Sequence, residues 1–503
     1  MRISLKEVII LIDLIIMKKI SLFSISFFLF LTGIFCFSVL SFVLPAKEII
    51  VKGQLNVASI SSGAEGFLNL SPDDEGSRLE GDGGNNIKAV FIDDYLEKKK
   101  KELISGKKDF LFLDLEKMTA KVFKAGEDIR ELSIEARGGA ELWGGTPLGI
   151  YYASSNRKLA YSSSAKVFMP FSVGFYGKYF IHGECYYPDG APDLSSITGG
   201  CVRFLDEDAE YLHNFVKIGM PILITDKGFK NNGFGFFPKS ISPFPDVSAK
   251  SYLLADLDSG YVFSEKNSQD KLPIASITKL MMSVVVVENA DLKESILATE
   301  KMLVPYGSTE GLVAGKEYKL TELLYAALTE SSNDAAEILS NFLGKSWTIR
   351  MMNEKAKAIG MENSYFTEPT GLEKENVSTA KDLFQLGRYV FSARNPLFEI
   401  TKGEDVRDFG AELFKDLKNK NVLFDNSDFL GGKTGFILAS NYNGLFLMKF
   451  SDADGAEHNV AIIILGSDSL EKNIPLILGW VKDNFFASDK DKSVKGIETK
   501  MIK

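Results

Sequence analysis

Ile20 to Ala46 (ISLFSISFFLFLTGIFCFSVLSFVLPA) is a run of 27 positions without a charged side chain, and it constrains where the rest of the chain can fold. As a helix it would reach roughly 40 Å at ~1.5 Å per residue, enough to cross a hydrocarbon core of about 30 Å with some tilt. A cleaved signal peptide has an apolar region of only about 7–15 residues, so the length favours an anchor, with secretion after cleavage as the alternative. Lys18 and Lys19 flank its N-terminal side, with Arg2 and Lys6 further back. The positive-inside rule then keeps the N-terminus in the cytoplasm and places everything after Ala46 outside. The preceding VIILIDLII is interrupted by Asp13, and Met17-Lys18-Lys19 reads as the better start. Cys36 follows Phe35, a poor match to a lipoprotein processing site, and reads as a small membrane-facing hydrophobe.

The remainder has the composition of packed domains. A length of 503 residues suggests two to four of them. The net charge of −9 lacks the basic excess that nucleic-acid binding needs. Three cysteines (Cys36, Cys185, Cys201) and three histidines (His182, His213, His458) give neither a disulfide framework nor a zinc-ligand cluster, so no metal or cofactor is expected.

Punctuation along the chain divides it as follows. Residues 1–46 form a cytoplasmic stub and membrane span, and 47–107 a flexible tether whose core, Ser61 to Asn86, is rich in Gly, Ser, Asp and Glu. Lys98 to Lys101 fall on a helix and read as a solvated basic face. Residues 108–226 are strand-rich, with strands expected near 110–113, 120–123, 129–136, 167–181 and 221–225 and one helix over 206–218. Residues 227–247, with three Gly and three Pro, are the expected linker, and 487–503 a polar tail. Residues 248–486 open on a hairpin (YLLADLDSGYVF), continue in helices and end on two buried strands and a helix near 475–485. That order predicts an α+β domain whose sheet joins its N- and C-terminal strands.

Two segments carry chemistry. In the first, HGECYYPDGAPDLSSITGGCVR spans 182–203 between a strand and a helix. A thiol must become a thiolate to attack an amide, and an imidazole can assist. His182 and Cys201 stand 19 positions apart, so only a folded-back loop joins them. Gly199 and Gly200 would let backbone N–H groups approach a developing oxyanion. His182-Gly183 followed by Thr198-Gly199-Gly200-Cys201-Val202-Arg203 resembles the signature of the L,D-transpeptidase family, the YkuD-type catalytic domain. The stretches GGTPLGIYYA at 144–153 and MPFSVGFYGKYFIHG at 169–183 are similar to it as well. The resemblance implies a mostly-β domain with Cys201 as nucleophile and His182 as base. It also implies that the Gly183 carbonyl orients His182, and that Arg203 is a structural or substrate-binding partner. Gly199 departs from the His or Lys of many members. Cys185 reads either as a small buried side chain or as a reversible disulfide partner of Cys201.

In the second segment, Ser276-Ile277-Thr278-Lys279 opens an apolar run, LMMSVVVV, read as a buried helix. Residues i and i+3 share a helical face, so Lys279 can reach the Ser276 hydroxyl, provided that burial and the nearby Lys433 charge keep its amine neutral. Ser331-Ser332-Asn333 and Lys433-Thr434-Gly435 follow at spacings of 55 and 102 residues. Each tripeptide is weak alone, since Ser154-Ser155-Asn156 and Ser163-Ser164-Ala165-Lys166 have the same compositions elsewhere. Their order is that of penicillin-binding proteins and class A β-lactamases. Residues 248–486 resemble a low-molecular-mass penicillin-binding protein of the D-alanyl-D-alanine carboxypeptidase family, also in KLPIASITKLM, TESSNDAAEIL and VSTAKDL. The resemblance implies Ser276 as nucleophile, Lys279 as base, and Ser331 and Asn333 in proton relay and substrate contact. Lys433 and Thr434 would hold a carboxylate, Gly435 would admit a peptide strand, and the N–H groups of Ser276 and Phe436 would form the oxyanion hole.

Together the resemblances imply an envelope enzyme acting on peptidoglycan stem peptides, with β-lactams as covalent inhibitors. The serine domain would remove the terminal D-Ala of a pentapeptide, and the cysteine domain would form 3→3 cross-links from the tetrapeptide. The rival readings are a hydrolytic pair and a chain in which one domain only binds wall peptides.

Overall fold

Alternation of apolar and polar residues builds the first domain. Thr119–Lys124 (β2) turns Ala120 and Val122 inward, and Phe110–Asp114 (β1) buries four consecutive apolar side chains because both its faces are covered. In this computed structural model, residues 92–486 are described, apart from 140–142, 144, 227–240, 304–305, 307–311, 405–411, 415 and 453–454. The expected span Ile20–Ala46, the tether core Ser61–Asn86 and the tail 487–503 lie outside the described residues. Among the described residues no helix is long and apolar enough to cross a membrane.

Five strands form one sheet in the order β3-β2-β1-β9-β4, with β3 at Glu127–Ser133, β4 at Gly149–Tyr152 and β9 at Pro221–Thr225. A second sheet runs β5-β6-β7-β8, through Ser155–Ser162, Val167–Tyr176, Tyr179–His182 and Val202–Arg203. Helix α1 (Ile92–Ser105) lays Leu96 and Leu103 on Phe110, Phe112 and Phe123. Helix α2 (Asp206–Phe215) buries Ala209 and Leu212 in the core. The parallel pair β7–β8 sets Ile181 opposite Val202 and His182 opposite Arg203. That register folds residues 183–200 back as a loop and brings the two ends of the cysteine segment side by side.

The second domain has the expected closure. Strand β10 (Ser251–Asp256) pairs antiparallel with β14 (Glu457–Ser467), near the domain's C-terminal end. The five-stranded order is β11-β10-β14-β13-β12, where β11 is Val262–Lys266, β13 Asn441–Ser451 and β12 Phe429–Ile437. The four consecutive valines lie on helix α3 (Thr278–Asn289), buried on nearly every side, so helical burial overrides their strand preference. Part of the expected linker belongs to this domain: Ser242 N–H donates to Asn484 Oδ1 at 2.7 Å, and Trp480 Nε1–H donates to Ser242 O at 2.9 Å.

The described residues of both domains fall in one compact unit, and one apolar core runs through them from Leu111 to Leu465. At their junction lies a fully buried carboxylate, Glu288, with Lys355 Nζ at 2.8 Å and Arg394 Nη2 at 3.0 Å. Burial pushes the Glu288 carboxyl up, but the two cations outweigh it and hold it below the usual range. Lys355 also reaches Tyr151 of β4 at 2.7 Å and Tyr389 at 3.1 Å. Removing the anion strands two buried cations. Glu288→Gln is therefore expected to cost about 3–5 kcal/mol of unfolding free energy, read from urea denaturation. A midpoint equal to the parent's would mean that this cluster does not stabilise the junction.

Candidate active sites

The serine centre is assembled from four segments. Ala275–Ile277 is a short 3-10 turn leading into α3, so Ser276 sits at the helix entrance with Lys279 one turn on. Ser332 caps helix α4 (Asn333–Phe342) by accepting from Ala335 N–H at 3.1 Å. Its neighbour Ser331 is left-handed, with φ 65°. Strand β12 carries Lys433-Thr434-Gly435 along the free edge of the sheet. A Cβ on Gly435 would lie 2.8 Å from Ser276 N, so only glycine lets this edge approach the nucleophile so closely.

The Lys279 amine is buried and has three neighbours: Ser276 Oγ at 2.8 Å, Asn333 Oδ1 at 2.6 Å and Thr370 O at 2.6 Å. Asn333 Oδ1 and Thr370 O can only accept. A neutral amine has two N–H groups for those oxygens and one lone pair left for the Ser276 proton. Burial lowers the Lys279 pKa to about 7, against the raising effect of Glu368 and with a lowering contribution from Lys420. The cation that lowers Lys279 beside burial is Lys420, while Lys433, expected in that part from the sequence, couples to Lys279 by being lowered itself. Lys433 donates to Ser331 Oγ and Thr434 O, both at 2.8 Å, and is itself held well below its ordinary value by burial, Lys279 and Lys420. Thr434 Oγ1 is on the exposed side, and Phe436, half exposed, packs on Tyr442 at 4.6 Å between ring centres.

Sequence reasoning missed Glu368, whose carboxylate accepts from Thr370 N, Thr370 Oγ1 and Gly371 N at 2.6 Å each. It thereby fixes the loop that presents the Thr370 carbonyl to Lys279. The signal was its place directly before Pro369-Thr370-Gly371.

The cysteine centre lies on the second sheet. His182 Nδ1–H donates to the Gly183 carbonyl at 2.7 Å, which leaves Nε2 as the lone-pair nitrogen. Gly183 N–H in turn donates to Pro170 O at 2.9 Å. Among the described residues no hydrogen bond joins His182 to Cys201. Cys201 Sγ instead accepts from Phe180 N–H at 3.4 Å and lies 3.9 Å from Lys178 O. Burial pushes the Cys201 thiol up to about 11 and the His182 imidazole down to about 4, so the resting pair is neutral.

Gly200 has φ 117°, and a Cβ there would overlap the Tyr179 ring. Its N–H, expected at an oxyanion, donates to Thr198 Oγ1 at 3.2 Å, while Gly199 faces open space. Arg203 donates to Asp193 O at 3.2 Å and to Ser195 O, so its guanidinium pins the 183–200 loop. Cys185 and Cys201 are both free thiols. Cys185 packs among Ala160, Val167 and Met169, with its Sγ 3.5 Å from His182 Nδ1, and burial raises it to about 12. Among the described residues no cluster of metal-ligating side chains occurs.

One body therefore carries two separate clusters, Ser276 with Lys279 and Cys201 with His182 on paired strands, whose side chains are of the kinds used in covalent acyl transfer. The chain belongs to the D-alanyl-D-alanine carboxypeptidase family, which matches residues 239–467, and residues 108–224 match the L,D-transpeptidase catalytic domain. It is 31% identical over 209 residues to D-alanyl-D-alanine carboxypeptidase DacB2 of Mycobacterium tuberculosis, across 40% of this chain and 71% of that one. To the D-alanyl-D-alanine endopeptidase of Escherichia coli it is 34% identical over 210 residues, across 39% and 66%. Among solved structures, penicillin-binding protein D2 of Listeria monocytogenes with ampicillin bound aligns at 26% identity, over 48% of this chain and all of that one, with a TM-score of 0.42.

The Lys279 environment generates a pH prediction. Only the neutral amine can take the Ser276 proton, so acylation of Ser276 by a penicillin should rise about tenfold per pH unit below about 7 and level off above it. Stopped-time labelling followed by intact mass measures this. A rate flat from pH 5 to 8 would remove Lys279 as the base.

Proposed function

We propose that the protein is a bifunctional peptidoglycan enzyme of the cell envelope. Ser276 attacks the carbonyl of the penultimate D-Ala in a pentapeptide stem, and Lys279 takes its proton and passes it to the departing terminal D-Ala. Water then hydrolyses the ester, giving a tetrapeptide. The Lys433 ammonium and the Thr434 hydroxyl hold the terminal carboxylate, and its arrival favours the charged form of Lys433. The N–H groups of Ser276 and Phe436 serve the oxyanion, and Ser331 and Asn333 relay protons and contact the stem. The observation that carries this half is the hydrogen-bond inventory of Lys279, which leaves one lone pair for Ser276.

Cys201 then attacks the carbonyl of the third residue of a tetrapeptide stem, with Nε2 of His182 as the proton acceptor and D-Ala as the leaving group. An amine of a second stem attacks the thioester, forming a 3→3 cross-link and releasing the thiol. Since the resting thiol and imidazole are both neutral, proton transfer accompanies attack instead of preceding it. The product of the serine site is the donor of the cysteine site. We place the enzyme outside the cytoplasmic membrane, tethered through Ile20–Ala46, or secreted if that segment is cleaved. Penicillins would acylate Ser276. The likeness to proteins named endopeptidases favours a second reading for the serine site, cleavage of cross-links in addition to trimming of stems.

Each nucleophile should be separable. Ser276→Ala is expected to lower D-Ala release from pentapeptide by about 10³-fold or more while leaving tetrapeptide cross-linking intact. Cys201→Ala should do the reverse, and His182→Ala should slow cross-linking by about 10²–10⁴-fold. Mass spectrometry of stem peptides decides. Undiminished 3→3 products from the Cys201 variant would end the transpeptidase reading.

A further inference from the structure

The hairpin turn between β6 and β7 is in contact with both domains. Residues 177–179 reach the C-terminal end of α3, the helix whose first turn carries Lys279. Tyr179 OH donates to the Glu288 carbonyl, Lys178 Nζ donates to the Ala290 carbonyl at 3.1 Å, and Gly177 is pressed against the Asn289 side chain. The last carbonyls of a helix lack intrahelical partners and carry the negative end of its dipole, so a hydroxyl and an ammonium are suited to them. The opposite side of the same turn meets the thiol. Phe180 N–H donates to Cys201 Sγ, Lys178 O lies 3.9 Å from it, and the Tyr179 ring fills the space beside Gly200. A further tie comes from Arg394, whose Nη2 donates to Gly145 O at 3.4 Å in the loop beside Gly200.

We propose that the Gly177-Lys178-Tyr179 turn positions the cysteine nucleophile, with Lys178 and Tyr179 held in register by the C-terminal end of a serine-domain helix. This deepens the reading of Cys201 as a nucleophile and rests on it. The serine domain thereby contributes to the cysteine site by holding the ammonium of Lys178, a residue of the first domain, at the end of its own helix. Burial lowers the Lys178 pKa against the raising pull of Asp291, Cys201, Glu288 and Glu294, and its charged form draws the Cys201 thiol downward against burial. Tyr179 and Cys185 are further titrating groups that act on Cys201 electrostatically, and His182 Nδ1 lies 3.5 Å from Cys185 Sγ.

The test uses the full chain and iodoacetamide, which reports the Cys201 thiolate whether or not the domain is a transpeptidase. Peptide mapping gives the alkylation rate of Cys201 from pH 7 to 10, and penicillin labelling of Ser276 reports that the second domain is folded. Lys178→Met should slow alkylation at pH 8 by about tenfold, equivalent to a rise of about one pKa unit, and Lys178→Arg should restore most of it. Tyr179→Phe, which removes one oxygen, should move the profile in the same direction by about threefold, as loosened register weakens the hold on the thiol. Alkylation profiles matching the parent's in Lys178→Met and Tyr179→Phe, with penicillin labelling retained, would overturn the proposal. If Lys178→Met loses both labels, the Tyr179→Phe profile decides in the same way. A shifted profile supports positioning even if the parent chain makes no cross-links, an outcome that would count against the transpeptidase reading alone.

Discussion

Helix Thr278–Asn289 carries a buried ionisable group near each end, and the protein treats the two in opposite ways. Lys279 and Glu288 are both fully buried. Ionised groups in an apolar interior must be paired or must lose their charge. Glu288 is paired, by Lys355 and Arg394. Among the described residues Lys279 has three oxygen partners and no carboxylate at contact distance, and it moves toward neutrality. The first solution fastens the two domains together. The second leaves an amine that can accept a proton, as the proposed mechanism requires of Lys279. Since both sit on one rigid element, the placement of the serine centre and the docking of the first domain are set by the same buried helix.

Burial also governs the cysteine centre, with a different consequence. It disfavours both the thiolate of Cys201 and the imidazolium of His182, so the pair rests uncharged. If Cys201 attacks as proposed, a neutral thiol depends on well-placed donors as charge develops. The groups around Cys201 are therefore read as the means of that development: Phe180 N–H on the sulfur, the Gly183 carbonyl fixing the His182 tautomer, and Arg203 holding the loop.

Much of this was legible in the sequence because it is local. The Ser276/Lys279 pair follows from helical spacing, the hairpin after Lys250 from its turn residues, and the closure of β10 on β14 from strands at both ends of the domain. Strand β5 was not legible, since Asn156-Arg157-Lys158 gives it no apolar alternation on an exposed sheet. The final helix starts at Leu470, capped by Ser469, earlier than expected, because Pro475 reads as a start and here lies inside it. Glu368, Lys420 and the Glu288 cluster act across large sequence separations, and no periodicity records which distant charges a fold brings together. The engaged Gly200 N–H is a local contact, two residues from Thr198, and it was not legible because it depends on a side-chain rotamer.

In the proposed function the two centres act in sequence on one stem peptide. The most direct test is a time course of the parent chain on pentapeptide-bearing disaccharide units, followed by mass spectrometry. Tetrapeptide units should accumulate first, 3→3 dimers should appear after a lag, and added tetrapeptide should abolish the lag. Dimers formed from the first time point without tetrapeptide, or pre-formed 3→3 dimers consumed while none are made, would contradict the proposal.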